Sequence, residues 1–236
     1  MTIRFTIITP TYNSAKDIEK CLRSVADQGF ESKEHLIIDS ASTDGTRGIV
    51  QTYIEQYPHI LMISEKDAGI YDAMNRGVAL ARGEWVIFLG SDDELYDSSV
   101  LEDISDFLAE DTELLYGDVW LKGVLKRYGG RFPLLRLQIM NICQQSIFYR
   151  RSIFDTVGEF DARFKISADW DFNLRCFQNP RIKRHYVNRL IARYALTGYS
   201  AGKIDITFLL HRLFRNARRY LTPVSETPIR EESHQA

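Results

Sequence analysis

The stretch FTIITPTYN, residues 5–13, decides the fold of this chain. Phe5 to Thr9 is a short apolar run that ends at Pro10, a pattern typical of a buried strand. Ser14 is a predicted helix cap, because apolar residues recur at helical spacing from Ile18 to Ala26. A buried strand followed by an amphipathic helix is the first unit of an alternating α/β chain.

The same unit repeats up to about residue 100. Further strands are predicted at Leu36–Asp39, Ile60–Ile63 and Trp85–Leu89. Helices are predicted between them, one carrying Ile49 to Tyr57 and one around Met74 that ends near Gly83. Near-continuous apolar strands separated by amphipathic helices indicate a mostly parallel sheet covered by helices on both faces.

Polar residues follow three of these strands at the point where each strand ends. The three clusters are Thr11–Asn13, Asp39–Thr46 and Ser91–Asp93. In a parallel α/β sheet, ligands bind beyond the carboxyl ends of the strands. The sequence therefore predicts a binding site along this edge of the sheet.

After about residue 100 the pattern is mixed. Leu114–Leu121 and Val124–Tyr128 flank Lys122-Gly123 and predict a hairpin, and Ile147–Tyr149 predicts a further strand. A helix is predicted from near Asp169 through Phe177, and a long amphipathic helix over Lys203–Leu221. We therefore expect one domain over residues 1–200, with halves that meet at about residue 100, followed by a C-terminal helix and frayed tail over residues 201–236.

Composition bounds the function classes. Hydrophobic residues make up 44% and charged residues 26% of the 236 residues, and the formal net charge is −2, so nothing points to nucleic acid as a partner. No apolar run approaches the roughly 20 residues that span a bilayer. Cys21, Cys143 and Cys176 are far apart and outside metal-type pairs, which indicates reduced thiols and a cytoplasmic location.

Adjacent acids Asp92 and Asp93 are the first candidates for chemistry. Neighbouring carboxylates repel each other unless a cation or hydrogen-bond donors meet them. Mg²⁺ is typically held by one or two carboxylates together with substrate phosphates. The alternative is that Ser91-Asp92-Asp93 only caps the next helix.

Two further acidic pairs carry the same ambiguity. Asp39 ends an apolar strand and offers acceptors for a base or a ribose, whereas Asp44 is better explained as a turn and cap residue. Asp169 is either a helix cap or a general base that accepts a proton from a hydroxyl. Asp171, two positions later on the same helix, would point away from Asp169.

Together these segments resemble the inverting family 2 glycosyltransferases, which have the GT-A fold. Four stretches carry the resemblance: residues 9–13 (TPTYN), 38–46 (IDSASTDGT), 64–77 (SEKDAGIYDAMNRG) and 88–93 (FLGSDD). The runs GEFD at 158–161 and ISADWD at 166–171 extend it to about residue 200. Within the family, the chain most resembles the subgroup that builds bacterial surface polysaccharides.

The resemblance implies a metal-dependent transfer of a hexose from a nucleotide-sugar, with UDP the favoured nucleotide, to a hydroxyl of a saccharide or lipid-linked saccharide. Residues 1–100 would bind the nucleotide and residues 101–200 the acceptor. Asp169 would be the catalytic base, and Asp92 and Asp93 would hold Mg²⁺ or Mn²⁺. The residues implied for nucleotide-sugar binding are Thr9, Pro10, Tyr12, Asn13, Asp39 for the uracil edge, Ser42, Asp67, Asn75 and Asp92.

This chain departs from the family pattern at three places. Gly90 stands where many relatives have Asp or Asn, so a D-x-D metal motif lacks its first acid, and the division of work between Asp92 and Asp93 stays open. Gln144-Gln145 stands where relatives often have His before Gln. Ala168-Asp169 replaces the frequent Glu-Asp pair at the base.

The C-terminal helix leaves three interpretations open. Its apolar stripe consists of Ile206, Leu209, Leu210, Leu213, Ala217 and Tyr220. Several arginines, including Arg212 and Arg215, lie largely outside the stripe. The helix packs on its own domain, docks as a peripheral element on anionic lipid at the inner face of the membrane, or forms a homodimer contact.

Two rival function classes remain at this stage. A nucleotidyltransferase also combines an α/β sheet with acidic metal ligands, but it normally needs a Gly-rich basic phosphate loop, which residues 9–13 do not provide. The second is a non-catalytic nucleotide-sugar-binding module. The presence of Asp169 in addition to Asp92 and Asp93 disfavours that class.

Overall fold

The computed structural model describes residues 3–196 and 205–212. The described strands are β1 (Phe5–Thr11), β2 (Lys33–Asp39), β3 (Ile60–Ser64), β4 (Trp85–Phe88), β5 (Glu94–Leu95), β6 (Leu114–Leu121), β7 (Lys126–Tyr128), β8 (Ile147–Arg150) and β9 (Arg184–Tyr194). The described helices are α1 (Ile18–Ala26), α2 (Thr46–Gln56), α3 (Ile70–Leu80), α4 (Val100–Phe107), α5 (Leu134–Leu137), α6 (Ile153–Val157), α7 (Ala168–Gln178) and α8 (206–212). A 3₁₀ turn over Gln144–Ser146 precedes β8.

All nine of the described strands form one sheet in the order β3-β2-β1-β4-β8-β6-β9-β5, with β7 paired to β6. Strands β3, β2, β1 and β4 are parallel, as are β6 and β9, whereas β8 runs antiparallel to both of its neighbours. The predicted α/β class with a mostly parallel sheet is confirmed. In the parallel half, Thr11 pairs with Asp39 and Asp39 with Ser64, so the polar strand ends meet at one edge.

Alternating side chains of β1 explain why helices cover both faces of the sheet. Ile8 belongs to the apolar cluster that includes Met74 of α3, whereas Ile7 belongs to the cluster that includes Cys21 of α1. A Cβ at Gly77 would lie 2.5 Å from the Cγ2 of Ile8, so this glycine lets α3 pack closely on the sheet. Helix α1 on one face of the sheet and helix α3 on the other therefore hold these strands in position.

The first unit differs from the prediction in two details. β1 continues through Pro10 to Thr11, because the β4 pairing ends at Phe88 and the missing proline N–H breaks no ladder hydrogen bond. The predicted Ser14 cap is wrong. Its side chain does not cap α1, whereas its carbonyl oxygen accepts a 2.9 Å hydrogen bond from the N–H of Ile18.

The second half contains elements that the sequence pattern did not predict. β9 is an interior strand of eleven residues, but Ile191 and Ala192 are its only fully buried apolar residues, so its hydrophobic alternation is weak. The predicted hairpin is present with a longer turn, in which Leu125 adopts a positive φ of 46°. Short elements such as β5, α5 and α6 also lacked a periodic signal.

The predicted C-terminal helix is described only in part. Residues 206–212 are helical, and the remainder of Lys203–Leu221 and the tail lie outside the described residues. Within the described ranges, every helix is too short or too polar to cross a bilayer. All three cysteines are free, and Cys21 and Cys176 are buried.

Candidate active site

A cleft of about 950 Å³ opens along the carboxyl edge of the parallel strands. Asp92 and Asp93, which follow β4, lie on its wall, and Asp169 in the first turn of α7 lines the same cleft. The adjacent pair Asp92 and Asp93 is therefore brought together with Asp169, which is far away in the sequence. Asp169 therefore lies on the same side of the molecule as Asp92 and Asp93, as one shared site for the predicted base and the predicted metal ligands requires.

Asp169 is held at both of its oxygens. The side-chain N–H of Asn141 donates to Oδ2 over 2.7 Å, and the hydroxyl of Tyr71 lies 2.8 Å from Oδ1. Burial raises the pKa of Asp169 to about 6, while the hydrogen bonds from Tyr71 and Asn141 act in the opposite direction. A carboxyl group with a pKa close to neutral is suited to accept a proton as a general base.

Asp93 is almost completely buried, at 1% exposure. Its Oδ2 accepts a 2.7 Å hydrogen bond from Nε2 of Gln145, and its Oδ1 accepts a 2.8 Å hydrogen bond from the backbone N–H of Ala195. Burial, followed by the negative charge of Asp92, raises the pKa of Asp93 to about 7. Burial also raises the pKa of Asp92, so negative charge at this wall is only partly compensated by the protein.

The chemistry of this pair fits a divalent cation that is shared with a diphosphate. The described residues contain no cluster of three or more His, Cys, Asp or Glu side chains that would hold a metal alone. Two carboxylates match the Mg²⁺ pattern in which phosphates complete the coordination. Asp92 is the better placed of the two, because both oxygens of Asp93 already accept hydrogen bonds from the protein.

Gly90 accounts for the missing first acid of the metal motif. A Cβ at this position would lie 2.6 Å from Oδ2 of Asp93 and 3.0 Å from Oδ1 of Asp92. Any side chain there would displace one of these carboxylates. The departure from the family pattern is therefore tied to how closely Asp92 and Asp93 approach the backbone.

Besides Asp92, four residues implied for nucleotide binding line the cleft: Pro10, Tyr12, Asn13 and Asp67. Tyr12 is 63% exposed, which leaves its ring open for stacking. Asn13 joins two loops, because its backbone N–H donates to Oγ of Ser42 and its Oδ1 accepts from the backbone N–H of Thr43. Ser42 therefore holds the loop that contains Asn13 at the edge of the cleft.

Asp39 is fully buried and is not among the residues that line the cleft, although the next two residues, Ser40 and Ala41, line it. Its Oδ2 accepts hydrogen bonds from the backbone N–H of Ser42 and, over 2.6 Å, from the hydroxyl of Ser64. Its Oδ1 is buried and has no partner among the described residues. A buried carboxylate oxygen without a donor is a candidate acceptor for a ligand N–H.

Thr9 and Asn75 are not brought into the cleft. The Thr9 hydroxyl lies in the core, 2.9 Å from Nε2 of His35. Asn75 donates to the carbonyl oxygen of Phe160 over 2.9 Å and accepts from its N–H over 3.0 Å. Asn75 therefore ties α3 to the segment that leads to Asp169, which is a structural use of both its polar groups.

Asp44 and Asp171 also have partners outside the cleft. Asp44 accepts from the hydroxyl and N–H of Thr46 and from the N–H of Ala15, as expected of a turn residue. Asp171 pairs with Arg175 over 2.8 Å and is not among the residues that line the cleft with Asp169.

Sequence reasoning missed Tyr71 and Asn141 as partners of Asp169. Tyr71 lies within the 64–77 motif, so a signal was present, but its role depends on α3 meeting α7. Asn141 lies in an irregular segment with no periodic or motif signal.

Comparison with known proteins agrees with this geometry. The model of the family described as Glycosyl transferase family 2 matches residues 6–158. A PGL/p-HBAD biosynthesis glycosyltransferase of Mycobacterium tuberculosis is 42% identical over 210 residues, which cover 87% of this chain and 82% of that protein.

Solved structures show the same fold. TarS 1-349 of S. aureus in complex with UDP superposes with a TM-score of 0.69 at 24% identity, over 82% of this chain and 60% of that chain. The mannosyltransferase PcManGT of Pyrobaculum calidifontis, in complex with GDP-Man and Mn²⁺, gives a TM-score of 0.69 at 22% identity, over 93% and 65% of the two chains. The predicted GT-A fold is confirmed, and the chain is a glycosyltransferase that belongs to glycosyl transferase family 2.

Proposed function

We propose that this glycosyltransferase moves a sugar from a nucleotide diphosphate, with UDP as the first candidate, to a hydroxyl of a saccharide or lipid-linked saccharide in polysaccharide or glycolipid biosynthesis. The observation that carries the proposal is the convergence of Asp169 with Asp92 and Asp93 in one cleft. One carboxylate faces the place for an incoming alcohol. The other two would hold the cation that compensates the negative charge of the leaving diphosphate.

The chemistry follows from these positions. Asp169 takes the proton of the acceptor hydroxyl, and the acceptor oxygen attacks the anomeric carbon from the face opposite the diphosphate. The bond between that carbon and the phosphate oxygen breaks, its electron pair leaves with the diphosphate, and the configuration inverts. General-base assistance of this kind is typically worth about 10²–10⁴-fold in rate.

Charge compensation for the leaving group has two sources in this cleft. Lys66 and Lys165 line it and supply positive charge from the protein. Asp92, supported by Asp93, would hold Mg²⁺ or Mn²⁺. When bound, such an ion neutralises diphosphate charge as a Lewis acid.

The known structures support a nucleotide-sugar donor. TarS has been solved with UDP and with UDP-GlcNAc, and PcManGT with GDP-Man and Mn²⁺. In this chain, the unpartnered Oδ1 of Asp39 suits a hydrogen bond from an N–H group of the nucleobase, such as that of uracil. Asp39 and the exposed ring of Tyr12 together favour a base-stacking pocket at the end of β1 and β2.

A screen of donors tests the proposal. UDP- and GDP-linked sugars are added with Mn²⁺, and thermal unfolding is followed, since a ligand that binds only the folded state raises the apparent stability. We expect one donor to raise the melting temperature and to be slowly hydrolysed. A bound donor that is never hydrolysed or transferred would favour the non-catalytic binding module. Turnover of a sugar phosphate with a nucleoside triphosphate would favour the nucleotidyltransferase.

The described part of α8 has an exposed apolar face, which favours a contact with another surface. Phe208 is buried against Phe164 and Trp170, whereas Ile206, Leu209 and Leu210 are exposed. An exposed apolar face suits a peripheral membrane contact at the cytoplasmic side, where a lipid-linked acceptor would be met. Liposome flotation of the full chain and of a chain without residues 203–236 tests this, and sedimentation without lipid tests the homodimer alternative.

A further inference from the structure

One short segment reaches both functional walls of the cleft. Residues 141–145 lie between α5 and β8, and two of their three amide side chains, those of Asn141 and Gln145, are four positions apart. Asn141 donates to Oδ2 of Asp169 over 2.7 Å, and Gln145 donates to Oδ2 of Asp93 over 2.7 Å. The side of the cleft that carries Asp169 is called the base wall, and the side that carries Asp92 and Asp93 is called the nucleotide wall. Residues 141–145 therefore contact both walls.

The orientation of the Asn141 amide is fixed by the groups behind it. The phenol of Tyr149 donates to Oδ1 of Asn173 over 2.7 Å, which is closer than its second acceptor, Oε1 of Gln144 at 3.3 Å, and Nδ2 of Asn173 donates to Oδ1 of Asn141 over 3.0 Å. Each amide therefore accepts at its oxygen and donates from its nitrogen, which leaves the Asn141 N–H directed at Asp169. Tyr149 and Asn173 are fully buried, so this chain of hydrogen bonds starts from a rigid part of the core.

The Gln145 amide is oriented by a separate group. The thiol of Cys143 lies 3.0 Å from Oε1 of Gln145, so its S–H donates to that oxygen and the Gln145 nitrogen faces Asp93. Ile142 is buried in the core between the two amides, and the N–H of Ser146 bonds to the carbonyl oxygen of Cys143. The two amides are therefore held independently, although they lie on one segment.

We propose that Asn141 and Gln145 are positioning residues with separate tasks, Asn141 orienting the base Asp169 and Gln145 orienting Asp93 beneath the nucleotide diphosphate. The inference rests on the proposed function and deepens it. A hydrogen bond to an ionised carboxylate favours the ionised form, so Asn141 keeps Asp169 ready to accept a proton. Gln145 keeps Asp93 turned so that Asp92 is left to face the cleft.

The two tasks predict different phenotypes for Asn141→Ala and Gln145→Ala. For Asn141→Ala we expect kcat to fall about tenfold, the acid limb of its pH profile to move to higher pH, and UDP affinity in Mn²⁺ to stay within about twofold. For Gln145→Ala we expect calorimetric UDP affinity in Mn²⁺ to fall about tenfold while the acid limb stays in place. Asn188→Ala and Gln51→Ala make the same chemical changes on the surface and serve as controls.

A third variant separates positioning from local unfolding. Tyr149→Phe removes only the hydroxyl that starts the chain to Asn141, so it should move the acid limb in the same direction as Asn141→Ala, by a smaller amount. An unmoved acid limb in both variants would overturn the role of Asn141. Equal losses of UDP affinity and kcat in Asn141→Ala and Gln145→Ala would overturn the separation of tasks. If the wild-type chain binds UDP but transfers no sugar, the proposed function fails, whereas the UDP arm still decides the role of Gln145.

Discussion

The hydroxyl of Tyr71 lies 2.8 Å from Oδ1 of Asp169 and 2.6 Å from the carbonyl oxygen of Ile166. A phenol has one proton, so it donates to only one of these acceptors at a time. The ionised carboxylate is the stronger acceptor, whereas a protonated Asp169 donates to the phenol and frees its proton for Ile166. Tyr71 therefore has a hydrogen bond to offer in both protonation states of the base.

Tyr71→Phe removes the donor that favours the ionised base. We expect the pKa of Asp169 to rise above its value of about 6, so the acid limb of kcat moves to higher pH and activity at pH 6 falls several-fold. The pH profile of transfer measures this. Tyr57→Phe, at the C-terminal end of α2 and outside the cleft lining, is the matched control, and coincident profiles for the two variants would contradict the role of Tyr71.

The wild-type pH profile follows from the same carboxyl group. Asp169 is protonated below a pH of about 6 and then cannot accept the acceptor's proton, so transfer should decline about tenfold per pH unit below that point. Initial rates from pH 4.5 to 8, at saturating donor, measure the limb. A rate that stays constant down to pH 4.5 would show that another group is the base.

Asp169→Asn should stabilise the protein above neutral pH. The folded pKa of about 6 exceeds the ordinary aspartate value of 3.8, so wild-type stability falls as pH rises through the interval between these two values. An amide at this position accepts from Asn141 and donates to Tyr71, which then donates to Ile166, so every hydrogen bond is kept. We expect a melting temperature about 2–4 °C higher at pH 8 and little difference at pH 4. A lower melting temperature at pH 8 would contradict the charge penalty.

Gly90→Ala should weaken binding of the nucleotide with its metal. The new Cβ would lie 2.6 Å from Oδ2 of Asp93, which Gln145 and Ala195 hold in place, so one of the acidic side chains must shift. Calorimetry with UDP and Mn²⁺ should show affinity reduced about tenfold, the cost of disturbing a hydrogen bond to a charged group. Gly29→Ala, where a Cβ meets nothing within 4 Å, should leave the affinity unchanged. Equal affinities for both variants would remove the constraint at Gly90.

The sequence predicted the parallel half of the fold well because each strand there is a continuous apolar run. It did not predict β9, since the polar and apolar residues of Arg184–Tyr194 occur in short runs and do not alternate with the period of two expected of a strand. Among the site residues, Asp92, Asp93 and Asp169 follow recognisable motifs and do share a cleft, whereas their roles remain predictions. Thr9 and Asn75 also lie in recognisable motifs, but their polar groups form hydrogen bonds inside the structure. Asn141 was invisible to sequence reasoning, because its contact with Asp169 depends on a tertiary approach across 28 residues.

The most direct test of the central claim compares sugar transfer and donor binding in the wild-type chain and in Asp169→Asn. Both should bind the donor with similar affinity, since Asp169 does not lie at the nucleotide wall, and the variant should lose transfer by about 10²–10⁴-fold. Transfer by the variant at the wild-type rate would contradict the assignment of Asp169 as the base.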